Sequence, residues 1–234
     1  MKSAVKAVLQ LPVLVQLRRL LYERRFRRIE GGHGFRGVFE TFEAAARSAP
    51  ATQPTGYDHA APAKMYGWRP LFSEDYAVLF WLTRILRPND RVFDYGGHAG
   101  SAFDVWVKHM PLPPGVRWQI QDVPEVVAEG LRRNQERTGT LPEFTADFAA
   151  ASGADVLLAS GSLQYVAEPL AQRLAGLAVR PRWLLLNQLP LHPHLQFATL
   201  QNIGTCFCPY LVFHEPRFFE ELKALGYRLH TTWD

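Results

Sequence analysis

Cysteine is nearly absent: the 234 residues hold two, Cys206 and Cys208. Two cannot staple a disulfide scaffold or furnish a four-cysteine zinc site. With one residue between them, a disulfide spanning two strands is not expected. This usage suits a reducing compartment, so a cytoplasmic location is expected. Charge is also sparse, at 21% of residues against 47% hydrophobic ones. Such a chain can bury a sizeable core, which excludes intrinsic disorder, collagen and coiled coil. Long apolar runs are missing too. The uncharged stretch Ala7 to Leu17 has eleven residues and includes Gln10, Pro12 and Gln16. A membrane-spanning helix needs about 20 apolar residues. Arg18 and Arg19 follow, where a signal peptide would place a small-residue cleavage site. No internal repeat occurs.

The formal net charge of +4 is unevenly spread. Residues 1–30 carry eight basic side chains (Lys2, Lys6, Arg18, Arg19, Arg24, Arg25, Arg27, Arg28) and two acids, Glu23 and Glu30. The remainder is slightly acidic. It lacks the clustered Lys and Arg that phosphate backbones require, so no nucleic-acid partner is expected. Residues 1–30 read as a basic amphipathic arm, with Leu14, Leu17 and Leu21 on one face and Arg18, Arg25 and Arg28 on its flanks. Such a helix either adheres to an anionic membrane surface or packs on the body with a solvated arginine face. Residues 31–234 form the second unit.

Beyond a loop over 48–70, strands alternate with helices. Helices are expected from Ser73, as N-cap, to Arg87; over Ser101–Met110, with Ser101 and Asp104 as a capping pair; over Pro124–Arg137; from Pro169; and over Pro216–Leu225. Strands are expected over Arg91–Tyr95, Val116–Gln121, Glu143–Thr145, Ala154–Ala159, Arg182–Asn187 and Tyr227–Trp233. Right-handed crossovers then give a mostly parallel sheet, whose ligands bind at the C-terminal strand ends. Residues 195–213 show partial two-residue alternation around Asn202–Thr205, which predicts a hairpin or lid within 188–215.

Asp94-Tyr95-Gly96-Gly97-His98-Ala99-Gly100 follows a strand and precedes a helix. Glycines there let the backbone turn tightly and approach a ligand. The dinucleotide spacing G-x-G-x-x-G fails from either Gly96 or Gly97, which disfavours an NAD-dependent oxidoreductase. No Gly-Lys pair and no G-x-S-x-G elbow occur, which excludes a P-loop and an α/β-hydrolase nucleophile. The run VFDYGGHAG resembles the first motif of class I S-adenosylmethionine-dependent methyltransferases. That resemblance implies that Asp94 and the backbone of Gly96, Gly97, His98 and Gly100 face the methionine part of the cofactor. His98 stands where the pattern often has glycine. A ligand-free strand–helix turn is the plain alternative. Asp122, just past the second strand, can accept ribose hydroxyls or cap the next helix. Asp147 matches a weaker adenine position, with loop capping as its alternative.

Several further runs are similar to one family of bacterial methyltransferases of unassigned substrate. They are FRGVFETFEAA (35–45), GYD (56–58), DVLLASGSLQYV (155–166), TLQNIG (199–204), CPY (208–210) and LGYRL (225–229). The resemblance implies an α/β fold, the Rossmann-like three-layer sandwich of class I methyltransferases. The family continues past the equivalent of Trp233, so its final antiparallel strand is expected to be absent here. Members are often encoded near surface-polysaccharide genes, which hints at polysaccharide biosynthesis.

Methyl transfer from a sulfonium needs alignment and, at most, removal of one proton. His192 and His194 are the candidate bases because imidazole titrates near neutral pH. Two exposed loop histidines are the plain alternative, and a zinc site joining them to Cys206 and Cys208 has atypical spacing. No metal is expected. Ser160, Gly161, Ser162, Gln164 and Tyr165 follow the central strand and would line cofactor and acceptor, or else cap the next turn. Phe197, Phe207 and Tyr210 are core or acceptor wall. The expectation is an S-adenosylmethionine-dependent, O-directed methyltransferase acting on a small molecule or surface-glycan precursor. It would be cytoplasmic, with peripheral contact at the inner membrane face. The alternative is a non-catalytic binding or scaffolding protein of the same fold at that surface.

Overall fold

The computed structural model describes residues 12–29 and 33–233. Lys2, Lys6, Glu30 and residues 7–11 of the Ala7–Leu17 stretch lie outside them. The first helix among the described residues, α1, spans Pro12–Phe26, with proline tolerated at its first position. β1 (Gly34–Phe39) and α2 (Phe42–Arg47) open the body, α2 being capped by the Thr41 side chain. The following loop is interrupted by one four-residue turn of helix, α3 (Ala60–Ala63).

Alternation then sets in: α4 (Asp75–Ile85), β2 (Arg91–Tyr95), α5 (Ser101–His109), β3 (Arg117–Gln121), α6 (Pro124–Asn134) and β4 (Glu143–Thr145). β5 (Val156–Ser160), α7 (Leu170–Ala175) and β6 (Trp183–Asn187) complete the series. Strands β4-β3-β2-β5-β6 form one five-stranded sheet, parallel throughout. The expected mostly parallel α/β architecture is therefore found. Both faces of such a sheet must be covered. Alternation along the strands divides the core accordingly. Val92, Trp118, Ile120, Val156 and Leu158 pack under α4 and α5. Phe93, Leu157 and Ala159 pack against α7 and the C-terminal helix α8 (Glu215–Ala224). Trp106 and Trp118 are 1% and 2% exposed, and burying each such side chain contributes roughly 1.5–3 kcal/mol.

A second sheet stands beside the first, in the order β1-β8-β9-β7. It contains β7 (Leu191–His192), β8 (Phe197–Asn202) and β9 (Phe207–His214). β8 and β9 are an antiparallel hairpin, as the alternation predicts, and β1 pairs antiparallel with β8 across some 160 residues of sequence. The end of α1 docks here. Phe26 is fully buried and stacks on Phe207 at 5.5 Å.

Three local expectations are corrected. Ser73 does not cap α4, because the buried Asp75 carboxylate takes the Phe72 N–H and pairs with Arg69. Ser101 and Asp104 are not a capping pair: Gly100 is the N-cap, at φ +85°, and Asp104 is held by Arg137. Tyr227–Trp233 is not a strand. It follows β6 through side chains, with the Tyr227 hydroxyl donating to Pro181 O and Trp233 Nε1 to Asn187 Oδ1, and forms no backbone ladder.

Candidate functional site

The site forms where β2, β3 and β5 end together. Asp94 is the penultimate residue of β2 and faces the α4–α5 layer. It is 2% exposed, and Trp118 Nε1 donates to its Oδ2 at 3.1 Å. The glycine loop wraps this carboxylate so closely that a Cβ on Gly97 would sit 2.5 Å from Oδ2. Gly96, at φ +73°, lies against Ser162 of the turn after β5, where a Cβ would meet the Ser162 Cβ at 2.4 Å. Both glycines are thus required by contact, as the loop's composition predicts.

Asp122 reaches across from the end of β3. Its Oδ2 accepts the His98 N–H at 2.9 Å and its Oδ1 the Val123 N–H at 2.8 Å. It does not cap α6, whose N-cap is Val123 without a side-chain bond. Asp122 instead ties the second strand to the glycine loop. Burial pushes Asp94 up to about 7, assisted by the nearby Asp122 carboxylate and opposed by the Trp118 bond. Burial likewise pushes Asp122 up to about 6, against its two backbone bonds. No cation is among the influences on either group. A buried carboxylate and a half-buried one side by side without a cation are costly. The donor set fits a cationic ligand carrying hydroxyls, such as one with an ammonium, a sulfonium and a ribose.

His98 sits at φ +53°, in the left-handed region that favours glycine. Its Nε2 lies 3.0 Å from Pro62 O, and Tyr66 meets the ring edge-on at 4.9 Å. Burial holds the imidazole down at about 4, so it is neutral at physiological pH. Gly100, also left-handed, begins α5 and is braced by Arg137, which donates to Ala99 O at 2.7 Å and to Asp104.

The remaining expected residues divide. The Ser160 hydroxyl accepts from Asn187, Ser162 donates to Tyr95 O at 2.5 Å, and Gln164 donates back to Gly161 O, its buried Oε1 left unpartnered. Of these, Ser162 is brought against the glycine loop, at Gly96 and Tyr95, whereas Ser160 and Gln164 are bonded to Asn187 and Gly161. The Tyr165 hydroxyl donates to Gln201 Oε1 of the second sheet at 2.7 Å. Phe207 is fully buried core, whereas Phe197 and Tyr210 are partly exposed. Asp147 accepts the Ala149 N–H and caps a 3-10 turn over Phe148–Ala151. His192 Nδ1 accepts the N–H groups of His194 and Leu195 at 3.1 and 3.0 Å, so one ring nitrogen is used in the turn. Among the described residues no group of three or more His, Cys, Asp or Glu side chains is arranged to hold a metal ion. Cys206 and Cys208 are free and buried, with sulfurs 3.4 Å apart.

Sequence reasoning missed Trp118, Arg137 and the segment Tyr57–Gly67, which lies against the loop. Only the GYD run pointed to that segment.

No protein-family model matches the chain, and no curated protein matches it by sequence. Solved structures are similar. One is a SAM-dependent methyltransferase from Thiobacillus denitrificans in complex with S-adenosyl-L-homocysteine, 20% identical over 53% of this chain and 52% of that one, TM-score 0.36. Mitomycin 7-O-methyltransferase MmcR is 20% identical over 62% of this chain and 42% of its own, TM-score 0.35. The sugar N-methyltransferase KedS8 from Streptoalloteichus sp ATCC 53650 is 14% identical over 66% and 78%, TM-score 0.43. Aligned segments span about half the length of several of these structures.

Proposed function

We propose that the chain binds S-adenosylmethionine and transfers its methyl group to a hydroxyl of a small molecule or surface-glycan precursor. The observation that carries this reading is the pair of carboxylates at the glycine loop, Asp94 buried and Asp122 half-buried, with no basic side chain among the described residues influencing either. Asp94 would face the ligand's ammonium and Asp122 its ribose. Gly96 and Gly97 supply the close backbone approach. Ser162, which lies against Gly96, would form the facing wall with Ser160 and Gly161, and Asp147, just past β4, would face the adenine. When bound, the cofactor supplies an activated methyl group. The protein's part is to hold the acceptor in line and exclude water. Gln164 and Tyr165, in the turn after β5, offer uncharged polar groups, which suits a hydroxyl acceptor. His192 and His194 remain the candidate bases for its proton.

Calorimetric titration with S-adenosylmethionine, S-adenosylhomocysteine and NAD tests this. S-adenosylhomocysteine should bind in the micromolar range, about −8 kcal/mol. Asp122→Ala should weaken it by about 0.5–1.5 kcal/mol per lost hydrogen bond. No heat and no thermal shift with either adenosyl ligand would end the reading.

A second reading rests on α1. Val13, Leu17, Leu20 and Leu21 are exposed beside Arg18, Arg19, Arg24 and Arg25. No helix among the described residues is long and apolar enough to cross a membrane. This helix suits peripheral contact with anionic lipid at the inner membrane face. A non-catalytic scaffold at that surface would share the fold and the helix. It would bind the adenosyl ligand poorly or not at all.

A further inference from the structure

His98 occupies the least favourable backbone position in the glycine loop. A side chain in the left-handed region costs roughly 1–2 kcal/mol, whereas glycine adopts it freely. Histidine is among the residues enriched there, yet glycine would keep the backbone bond to Asp122 and remove the strain. The imidazole must therefore do something that glycine cannot. Its contacts are with the segment Tyr57–Gly67, through Pro62 O and the Tyr66 ring, and not with its own loop.

That segment is a strap. At its start, Phe207 N donates to Pro54 O and Gly56 N to Phe207 O, pinning it to β9. At its end, Arg133 of α6 donates to Tyr66 O at 2.7 Å. Between these anchors, Glu125 N donates to Asp58 at 3.0 Å, and Pro62 and Ala63 are buried. The His98 ring joins the middle of the strap to the glycine loop. Observed strain at such a place points to function rather than to accident.

Resting on the cofactor reading above, we infer that His98 is a positioning residue that latches the strap Tyr57–Gly67 over the glycine loop and thereby sets the rate at which the adenosyl ligand enters and leaves. The glycine that the motif more often carries would release the middle of the strap from the loop while leaving its end anchors, so that it opens more readily.

Two variants separate the latch from the strain. His98→Gly removes both ring and strain. His98→Asn tolerates the left-handed backbone but is too short for the Pro62 and Tyr66 contacts. Stopped-flow tryptophan fluorescence, with Trp118 beside the site, would follow S-adenosylhomocysteine. Association and dissociation should both accelerate by about 3- to 10-fold in both variants, the worth of one hydrogen bond, with affinity changing less. In the ligand-free protein, hydrogen exchange at the Ala63 and Met65 amides should rise in both variants. Acceleration by His98→Gly alone would show that loop strain is responsible and overturn the latch. Unchanged exchange in both variants would overturn it as well. If the wild-type chain binds no adenosyl ligand, the cofactor reading fails, and the exchange measurement still decides whether His98 holds the strap.

Discussion

Asp94→Asn should make the ligand-free protein more stable at pH 8 while weakening its proposed ligand. The carboxyl titrates at 3.8 when exposed and near 7 when folded, because it is buried. A folded value above the unfolded one means that its stabilising contribution is complete below about pH 4. That contribution is lost as pH rises toward 7. Holding Asp94 ionised at pH 8 costs up to about 4 kcal/mol. Asparagine removes the charge and keeps an oxygen that can accept from Trp118 Nε1. Its volume is nearly the same, which matters because Gly97 leaves no room for growth. Urea unfolding at pH 8 should therefore show a gain of about 1–4 kcal/mol, discounted for relaxation around the site. At pH 4 the gain should vanish.

Binding should move the other way. A charged hydrogen bond is worth about 1.5–3 kcal/mol, so S-adenosylhomocysteine should bind Asp94→Asn roughly 10- to 100-fold more weakly. Wild-type affinity should fall by about tenfold between pH 8 and pH 6 as Asp94 takes up a proton. Asp122, near 6, extends the fall below that. A variant that is less stable than wild type at pH 8 would refute the argument. So would an affinity that is flat with pH in a folded protein.

Arg137→Ala should cost about 2–3 kcal/mol in urea unfolding, since it removes charged bonds to Asp104 and the bond to Ala99 O. Replacing Arg18, Arg19, Arg24 and Arg25 with glutamine should abolish co-sedimentation with phosphatidylserine vesicles, because each contributes about 1 kcal/mol at such a surface. Unchanged sedimentation would make α1 a packing element. Once an acceptor is in hand, His192→Ala with His194→Ala should lower turnover by about 10²–10⁴-fold without altering S-adenosylhomocysteine affinity, if either is the base. Wild-type turnover would leave alignment as the whole mechanism.

What was legible in the sequence was local. Apolar runs such as VLLA and WLLL mark buried parallel strands, and the glycine pair marks the turn that Asp94 and Ser162 demand. The acidic residues at the ends of β2 and β3 stood out for the same reason. Caps were less legible: the neighbouring Asp75 takes the place expected of Ser73, Gly100 that of Ser101, and Asp104 is drawn to a partner that sequence spacing does not reveal. Arg137 lies 33 residues from Asp104, and Trp118 lies 24 from Asp94. Tyr227–Trp233 reads as a strand by composition, yet its polar side chains bond to the edge of β6 and its backbone does not. Most hidden was the second sheet, since the pairing of Phe35 with Gln201 has no local signal.

That second sheet holds the turn after β5 and the strap, and its polar residues explain why it has one register. Asn202 is fully buried in β8, where an unpaired amide would cost several kcal/mol. Both ends are satisfied: Nδ2 donates to Phe26 O at the end of α1, and Oδ1 accepts from Gly204 N in the hairpin turn. Gln201, on the opposite face, receives the Tyr165 hydroxyl from the turn after β5. Phe207 then carries the strap through its backbone. A one-residue slip of β8 would turn Asn202 and Gln201 to the wrong faces and break all of these bonds at once. One hairpin thus fixes α1, the strap and the turn beside the glycine loop relative to one another, although they lie far apart in sequence.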